Sequence, residues 1–414
     1  MSSIVPRIPS KYNVLLLFCA QGAKFLALAI SLILLPTFDT STWGQYIFIQ
    51  SLSIWLSLII EYGFNIANVG RIARVSKDEL SFECRLALAE SFAGRSIIFL
   101  VLLIAIVAFT PVIELKMQIS LNTLLFVLMA AAGIGTMPTW FFQFTDRIYV
   151  IALAEVASAI LSIACLFLLA HQTINILNWS AATAMIAIVI SLIVNFIAIK
   201  EVTWHTVPLR HSFCILKKSF TYFVYNSSVG IYNAGTTVLV GSLYGISLSG
   251  AYGVADRITR LINSIISPII KVYFPKFTLL YISNKRLYYM QLSNVLLISI
   301  ICFYFISLLL FLFFPLLVRN FNIATTELIE MGQVLSVAIF FVNMSTIISF
   351  FWILPTKRSI HFNYITLSAA FINTCGILIL KYFDIDNIAY SVLTSEIFVL
   401  LALILLLHKG RKEK

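Results

Sequence analysis

The chain has 414 residues, 61% of them hydrophobic and 11% charged, with a mean hydropathy of +1.00. So little polar surface excludes a water-soluble globule and makes lipid the expected solvent. A formal net charge of +11 would suit a nucleic-acid partner if the basic residues formed a soluble face; they gather at the ends of apolar runs instead, so no nucleic acid is expected.

A spanning helix needs roughly 20 apolar residues to cross about 30 Å of hydrocarbon. Apolar runs bounded by charge, Pro and Gly predict about twelve such helices, near residues 12–36, 43–68, 86–109, 121–145, 148–170, 177–200, 219–243, 250–272, 289–317, 328–354, 359–381 and 385–408. The alternation of a β-barrel is absent. The first run follows Arg7 and Lys11, is too long for a signal-peptide core and lacks an A-x-A cleavage pattern, so it is expected to be retained.

Placing the amino terminus in the cytoplasm puts 21 of the 28 Lys and Arg residues in inside connections. Only Lys116, Arg319 and Lys381 fall outside. This bias predicts a multi-pass inner-membrane protein with both termini cytoplasmic. Trp43, Trp140, Trp179, Trp204 and Trp352 lie near predicted helix ends, the level an amphipathic ring prefers.

The longest inside connection, residues 201–218, mixes Trp204, Phe213, Ile215 and Leu216 with Arg210, His211, Lys217 and Lys218, which suits a helix lying on the cytoplasmic leaflet. It separates two six-helix bundles, residues 1–200 and 219–414. Gly44-Gln45-Tyr46 opens the second predicted span and Gly250-Ala251-Tyr252 the eighth, a weak echo that makes the bundles pseudo-symmetric. The expected fold class is therefore all-α and polytopic.

Six scattered cysteines show no CxxC, and the five histidines lie in loops or at helix ends without ligand spacing, so no metal and no cofactor are expected. No Ser/His/Asp arrangement, Walker loop or G-x-G-x-x-G is present. The sequence gives no reason to expect an enzyme.

A polar side chain in a membrane helix must face protein or a water-filled cavity, so polar stripes locate the interior. In the second span Gln50, Ser53, Ser57, Glu61, Asn65 and Asn68 share about a third of the circumference, and this face is expected to line a polar cavity. The seventh span offers Tyr222, Asn226, Asn233 and Thr237 as neutral hydrogen-bonding groups. In the eighth, Asp256, Arg257, Arg260, Asn263, Ser264 and Ser267 oppose Ile258, Leu261, Ile262, Ile265 and Ile269.

Lys24, in the middle of the first span, calls for a compensating anion, which could be Glu61, Asp256 or a substrate phosphate. Lys24, Arg257 and Arg260 thus form a candidate cationic site for an anionic substrate. A plainer reading has Asp256 paired with Arg260 one turn on, stapling the helix. Glu61, Glu155, Asp256 and Glu396 are carboxylates at membrane depth and candidates for ion coupling. Glu90 and Arg95, near the start of the third span, read as interfacial side chains that snorkel.

The stretches EYGFNIANVGRIAR at 61–74, PTWFFQ at 138–143 and GAYGVADRITRLINSIISPIIKVYFPKF at 250–277 resemble the O-antigen flippases, the Wzx-type polysaccharide transporters of the multidrug/oligosaccharidyl-lipid/polysaccharide (MOP) exporter superfamily. The resemblance implies two six-helix bundles around a central cationic cavity. It also implies that the substrate is an undecaprenyl-pyrophosphate-linked repeat unit, flipped from the cytoplasmic to the periplasmic leaflet by alternating access. Expected partners are this lipid-linked oligosaccharide and membrane lipids. Protons or sodium as coupling ions, and an O-antigen polymerase with its chain-length regulator, are further candidates.

Two other readings stand beside it. A drug or metabolite antiporter of the same superfamily would share the helix count, yet such proteins place acidic residues in the cavity. A polytopic O-antigen polymerase or glycosyltransferase would need a substantial outside loop, and no predicted outside connection exceeds about a dozen residues.

Overall fold

Hydrocarbon offers the backbone no hydrogen bonds, so a chain in lipid satisfies its own amides by coiling. A computed structural model describes residues 22–23, 30, 40–72, 80–117, 119–145, 147–170, 176–202, 215–217, 219–220, 223–224, 230, 234–320, 325–353, 355–356 and 359–412. These are almost entirely helical, with no strand among them. Nine described helices are long and apolar enough to cross a membrane. The first predicted span lies almost wholly outside the described residues, as do 221–222, 225–229 and 231–233 of the seventh. The eighth is fully helical but carries Asp256, Arg257, Arg260 and Lys271 and is not among the nine.

The chain divides into two compact units, Met1–Gly235 and Thr236–Lys414. The first contains α1 (Thr40–Glu61), α2 (Phe64–Ile72), α3 (Leu80–Met117), α4 (Leu121–Gly135), α5 (Thr139–Phe144), α6 (Ile148–Ala170) and α7 (Ile176–Val202). The second contains α8 (Thr236–Tyr244), α9 (Ile246–Ser283), α10 (Lys285–Asn320), α11 (Thr326–Ile348) with a π-helical turn Ser349–Ile353, α12 (Ser359–Tyr382) and α13 (Ala389–Lys412). Two expected spans are each interrupted: the second breaks at Tyr62–Gly63 and the fourth at Thr136–Pro138.

In the first unit α4 is the central helix, packed on α7, α1 and α3. Lipid is as apolar as a leucine side chain, so helices associate here through close van der Waals approach at small residues. The run AAAGIG at 130–135 supplies them. A Cβ on Gly133 would stand 2.5 Å from the Ala187 carbonyl carbon of α7, and one on Gly135 would stand 2.6 Å from the Ser57 oxygen of α1. The opposite rule governs α3, where Val101, Ile104, Phe109 and Leu115 are exposed and form a lipid-facing surface.

In the second unit α11 is central, against α10, α13 and α9. Gly332 lets the Phe314 ring of α10 lie directly on the α11 backbone. Polar links join these helices at particular points. Asn373 Nδ2 donates to Thr236 Oγ1 at 2.8 Å, and Ser391 Oγ donates to Asn373 Oδ1 at 3.0 Å, joining α8, α12 and α13.

The π turn has a local cause. Pro355 has no N–H, so the Phe351 carbonyl one turn earlier loses its helical donor. The Tyr288 hydroxyl donates to that carbonyl at 2.8 Å from within a core of Phe277, Phe351 and Trp352. Tyr288→Phe should therefore cost about 1 kcal/mol of stability, read as a lowered thermal midpoint in detergent. In a Pro355→Ala background, where an N–H is restored, the same change should cost markedly less. Equal costs in both backgrounds would show that the hydroxyl does not substitute for the missing amide.

Candidate functional site

The break after α1 is built from three residues. Tyr62 and Gly63 adopt φ of 52° and 72°, the left-handed region that glycine tolerates and tyrosine adopts at a cost of roughly 1 kcal/mol or more. Glu61 offsets that cost by capping the helix that follows. Its Oε2 accepts from the Gly63 amide at 2.9 Å and its Oε1 from the Asn65 amide at 2.7 Å. A carboxylate at the start of α2 also meets the positive end of that helix's dipole.

Arg95 of α3 joins this break to the second one. Only 2% exposed, it donates from Nη1 to the Thr136 carbonyl at 2.9 Å and from Nη2 to Asn65 Oδ1 at 3.4 Å, with the guanidinium 5.7 Å from the Phe64 ring centre. The carbonyl it serves belongs to the α4–α5 junction, where Pro138 interrupts the helical ladder. Glu61 is the acidic neighbour whose charge it senses. Thr136 Oγ1 in turn lies 2.8 Å from Ser191 Oγ, which bonds Asn195, extending the network into α7.

The expected snorkelling of Glu90 and Arg95 is thus overturned, since both are buried. A snorkelling head seeks water, whereas here two interrupted helices offer acceptors at the depth of the side chain. Farther along α2, Asn68 donates to Ser91 at 2.7 Å, and Arg71 bridges Glu83 at 2.7 Å and Glu90, tying α2 to α3. Burial opposes the Arg71 charge, but its pairing with Glu90 and then Glu83 outweighs burial and holds its pKa above the usual arginine value.

Among the residues expected to line a cavity, Ser53 and Ser57 are buried. Ser53 Oγ donates to the Val127 carbonyl of α4 at 3.5 Å, and Ser57 Oγ folds back onto Ile54 O at 2.7 Å. Gln50 and Asn65 are half-buried. Lys24, Tyr222, Asn226 and Asn233 lie outside the described residues, as does the side chain of Asn263. Of the other carboxylates, Glu155 is half-buried in α6 and Glu396 is buried in α13.

On α9 the Asp256–Arg260 staple is present, with Oδ2 to Nε at 2.6 Å. Arg257, one residue on, is buried and sits about 100° around the helix from Asp256. The three residues together carry a formal charge of +1, in a helix segment that begins with the buried run Ala251 to Ala255. A guanidinium with planar donors in such a place can bind a phosphate or carboxylate bidentately.

Two solved structures share this architecture. The lipid II flippase MurJ, in an inward closed conformation, superposes with a TM-score of 0.74 at 15% identity over 96% of this chain and 88% of that one. A multidrug resistance MATE family transporter of the MOP superfamily, inward-facing, gives 0.70 at 15% identity over 95% and 94%. The class defined is an all-helical polytopic membrane protein with the MOP transporter fold.

Residues 10–281 match the family described as "Polysaccharide biosynthesis protein", and the chain belongs to it. A relative in Escherichia coli (strain K12), described as "Putative O-antigen transporter", is 22% identical over 289 residues, 67% of each chain.

Arg95 and Glu61 should be coupled energetically. Arg95→Met leaves the Thr136 carbonyl unmatched and removes the positive charge beside Glu61, and should cost about 3 kcal/mol, seen in unfolding of the purified protein. A double-mutant cycle with Glu61→Gln should give a coupling of about 1 kcal/mol. Additivity within a few tenths would mean that the two charges act independently.

Proposed function

We propose that this chain is a flippase that moves a lipid-linked oligosaccharide, the undecaprenyl-pyrophosphate-linked repeat unit of O-antigen or a related surface polysaccharide, across the inner membrane by alternating access. The observation that carries the reading is the charged segment of α9, where a buried Arg257 adjoins the Asp256–Arg260 pair. A guanidinium in this segment offers a pyrophosphate arriving from the leaflet two charge-assisted hydrogen bonds in one plane.

Family membership and the likeness to an O-antigen transporter support the substrate class. The MATE likeness is equally compatible with drug export, since the fold is shared, but a net positive segment favours an anionic cargo over a cationic drug. In this reading the chain catalyses no covalent step. Lys24, Arg257 and Arg260 meet the pyrophosphate, while Tyr222, Asn226, Asn233 and Asn263 offer hydrogen bonds to sugar hydroxyls. Glu61, Glu155, Asp256 and Glu396 are the candidate groups for proton or sodium coupling.

The test is complementation of a strain that lacks its O-antigen flippase. Wild-type protein should restore O-antigen display; Arg257→Ala should lower it about tenfold or more at matched protein level, and Arg257→Lys should lower it less. Equal display by both variants would remove Arg257 from substrate binding, and no restoration by abundant wild-type protein would sink the flippase reading. Translocation of labelled lipid-linked oligosaccharide in proteoliposomes, with and without imposed gradients, identifies the driving ion.

A further inference from the structure

Beside the start of α10, on the membrane side of the second unit, lies a groove that the transport reading does not use. It holds about 210 Å³ and is lined by Tyr289, Leu292, Ser293, Leu297, Ile300 and Trp352 among others. Leu292 and Trp352 are buried and floor it, whereas Leu297 and Ile300 are 58% and 45% exposed on the lipid-facing side.

Helical arithmetic gives this groove a direction. Arg286, Tyr289, Ser293, Leu297 and Ile300 follow one another three or four residues apart, which at about 100° per residue keeps them in a stripe roughly 80° wide. Along the stripe the chemistry changes once. A guanidinium comes first, a phenol and a hydroxyl follow, and alkyl groups fill the rest over an axial distance of roughly 20 Å. Arg286 is exposed, and Lys285 beside it stands 5.9 Å from the Tyr281 ring centre.

We propose that this groove binds an anionic phospholipid of the bilayer, its phosphate on Arg286 and Lys285 and one acyl chain on Leu292, Leu297, Ile300 and Trp352. Positive charge at one end, hydroxyls next to it and only apolar surface beyond complement a head-and-tail molecule with a negative head. A second copy of the chain fits less well, because helices meet in lipid along rows of small residues and Ser293 is the only small residue in the stripe. A polyprenyl phosphate shares the head and tail chemistry; the bilayer phospholipid is assigned because the groove opens directly onto it and it is present in large excess.

Native mass spectrometry of the full chain in detergent tests this with phosphatidylglycerol, phosphatidylcholine and undecaprenyl phosphate, each added at the same ratio. Phosphatidylglycerol should be retained about fivefold over phosphatidylcholine. Arg286→Gln should abolish that preference, and Leu297→Trp, which fills the groove, should reduce retention of both. Leu312→Trp, at a position just as exposed on the same helix, should change neither. Equal retention of the two phospholipids, undiminished preference in Arg286→Gln, or undecaprenyl phosphate retained more strongly than phosphatidylglycerol and lost in Leu297→Trp would overturn the assignment. The readout involves no transport, so its failure leaves the flippase reading standing.

Discussion

One buried guanidinium holds the first unit together where its helices fail. An interrupted helix in lipid leaves backbone groups that water cannot reach, and each unsatisfied group costs several kcal/mol. Arg95 answers both interruptions at once, with one nitrogen on the Thr136 carbonyl and another on Asn65 at the head of α2. A lysine could not do this, because a single ammonium lacks the planar fork that reaches two acceptors in different directions. Glu61 completes the arrangement by capping α2 and lending its charge.

The helical frame was legible because apolar runs of spanning length are the strongest pattern a membrane sequence carries. The two interruptions were not. Around Tyr62 the stripe of Ser57, Glu61, Asn65 and Asn68 keeps its helical spacing, so nothing in the periodicity marks the turn into the left-handed region. Gly63 and Pro138 were the available signals, each inside one of the three motifs that suggested the family. Arg95 was misread because a lone charge near the end of an apolar run looks the same whether it reaches outward or sits between helices; the adjacent Gly94, pressed against the Phe64 ring, was the hint of close packing. The Asp256–Arg260 pair was foreseeable, since four residues of separation alone place acid and base side by side.

Charge is divided differently in the two units. The first unit spends its buried ions on its own architecture: Arg95 with Asn65 and Glu61, and Arg71 with Glu83 and Glu90. On α9, by contrast, two arginines accompany a single aspartate.

The length of α3 has a consequence for the shape of the protein at the membrane surface. Its 38 residues make a rod of roughly 57 Å, against about 30 Å of hydrocarbon. Most of its exposed apolar side chains, Leu100 to Leu115, belong to its later part, while the first turns carry Glu83, Arg85 and Glu90 beside the exposed Phe82. Several turns must therefore stand clear of the acyl region as a rigid post, braced by Arg71 of α2. A soluble protein approaching that surface would meet this post before it met the lipid.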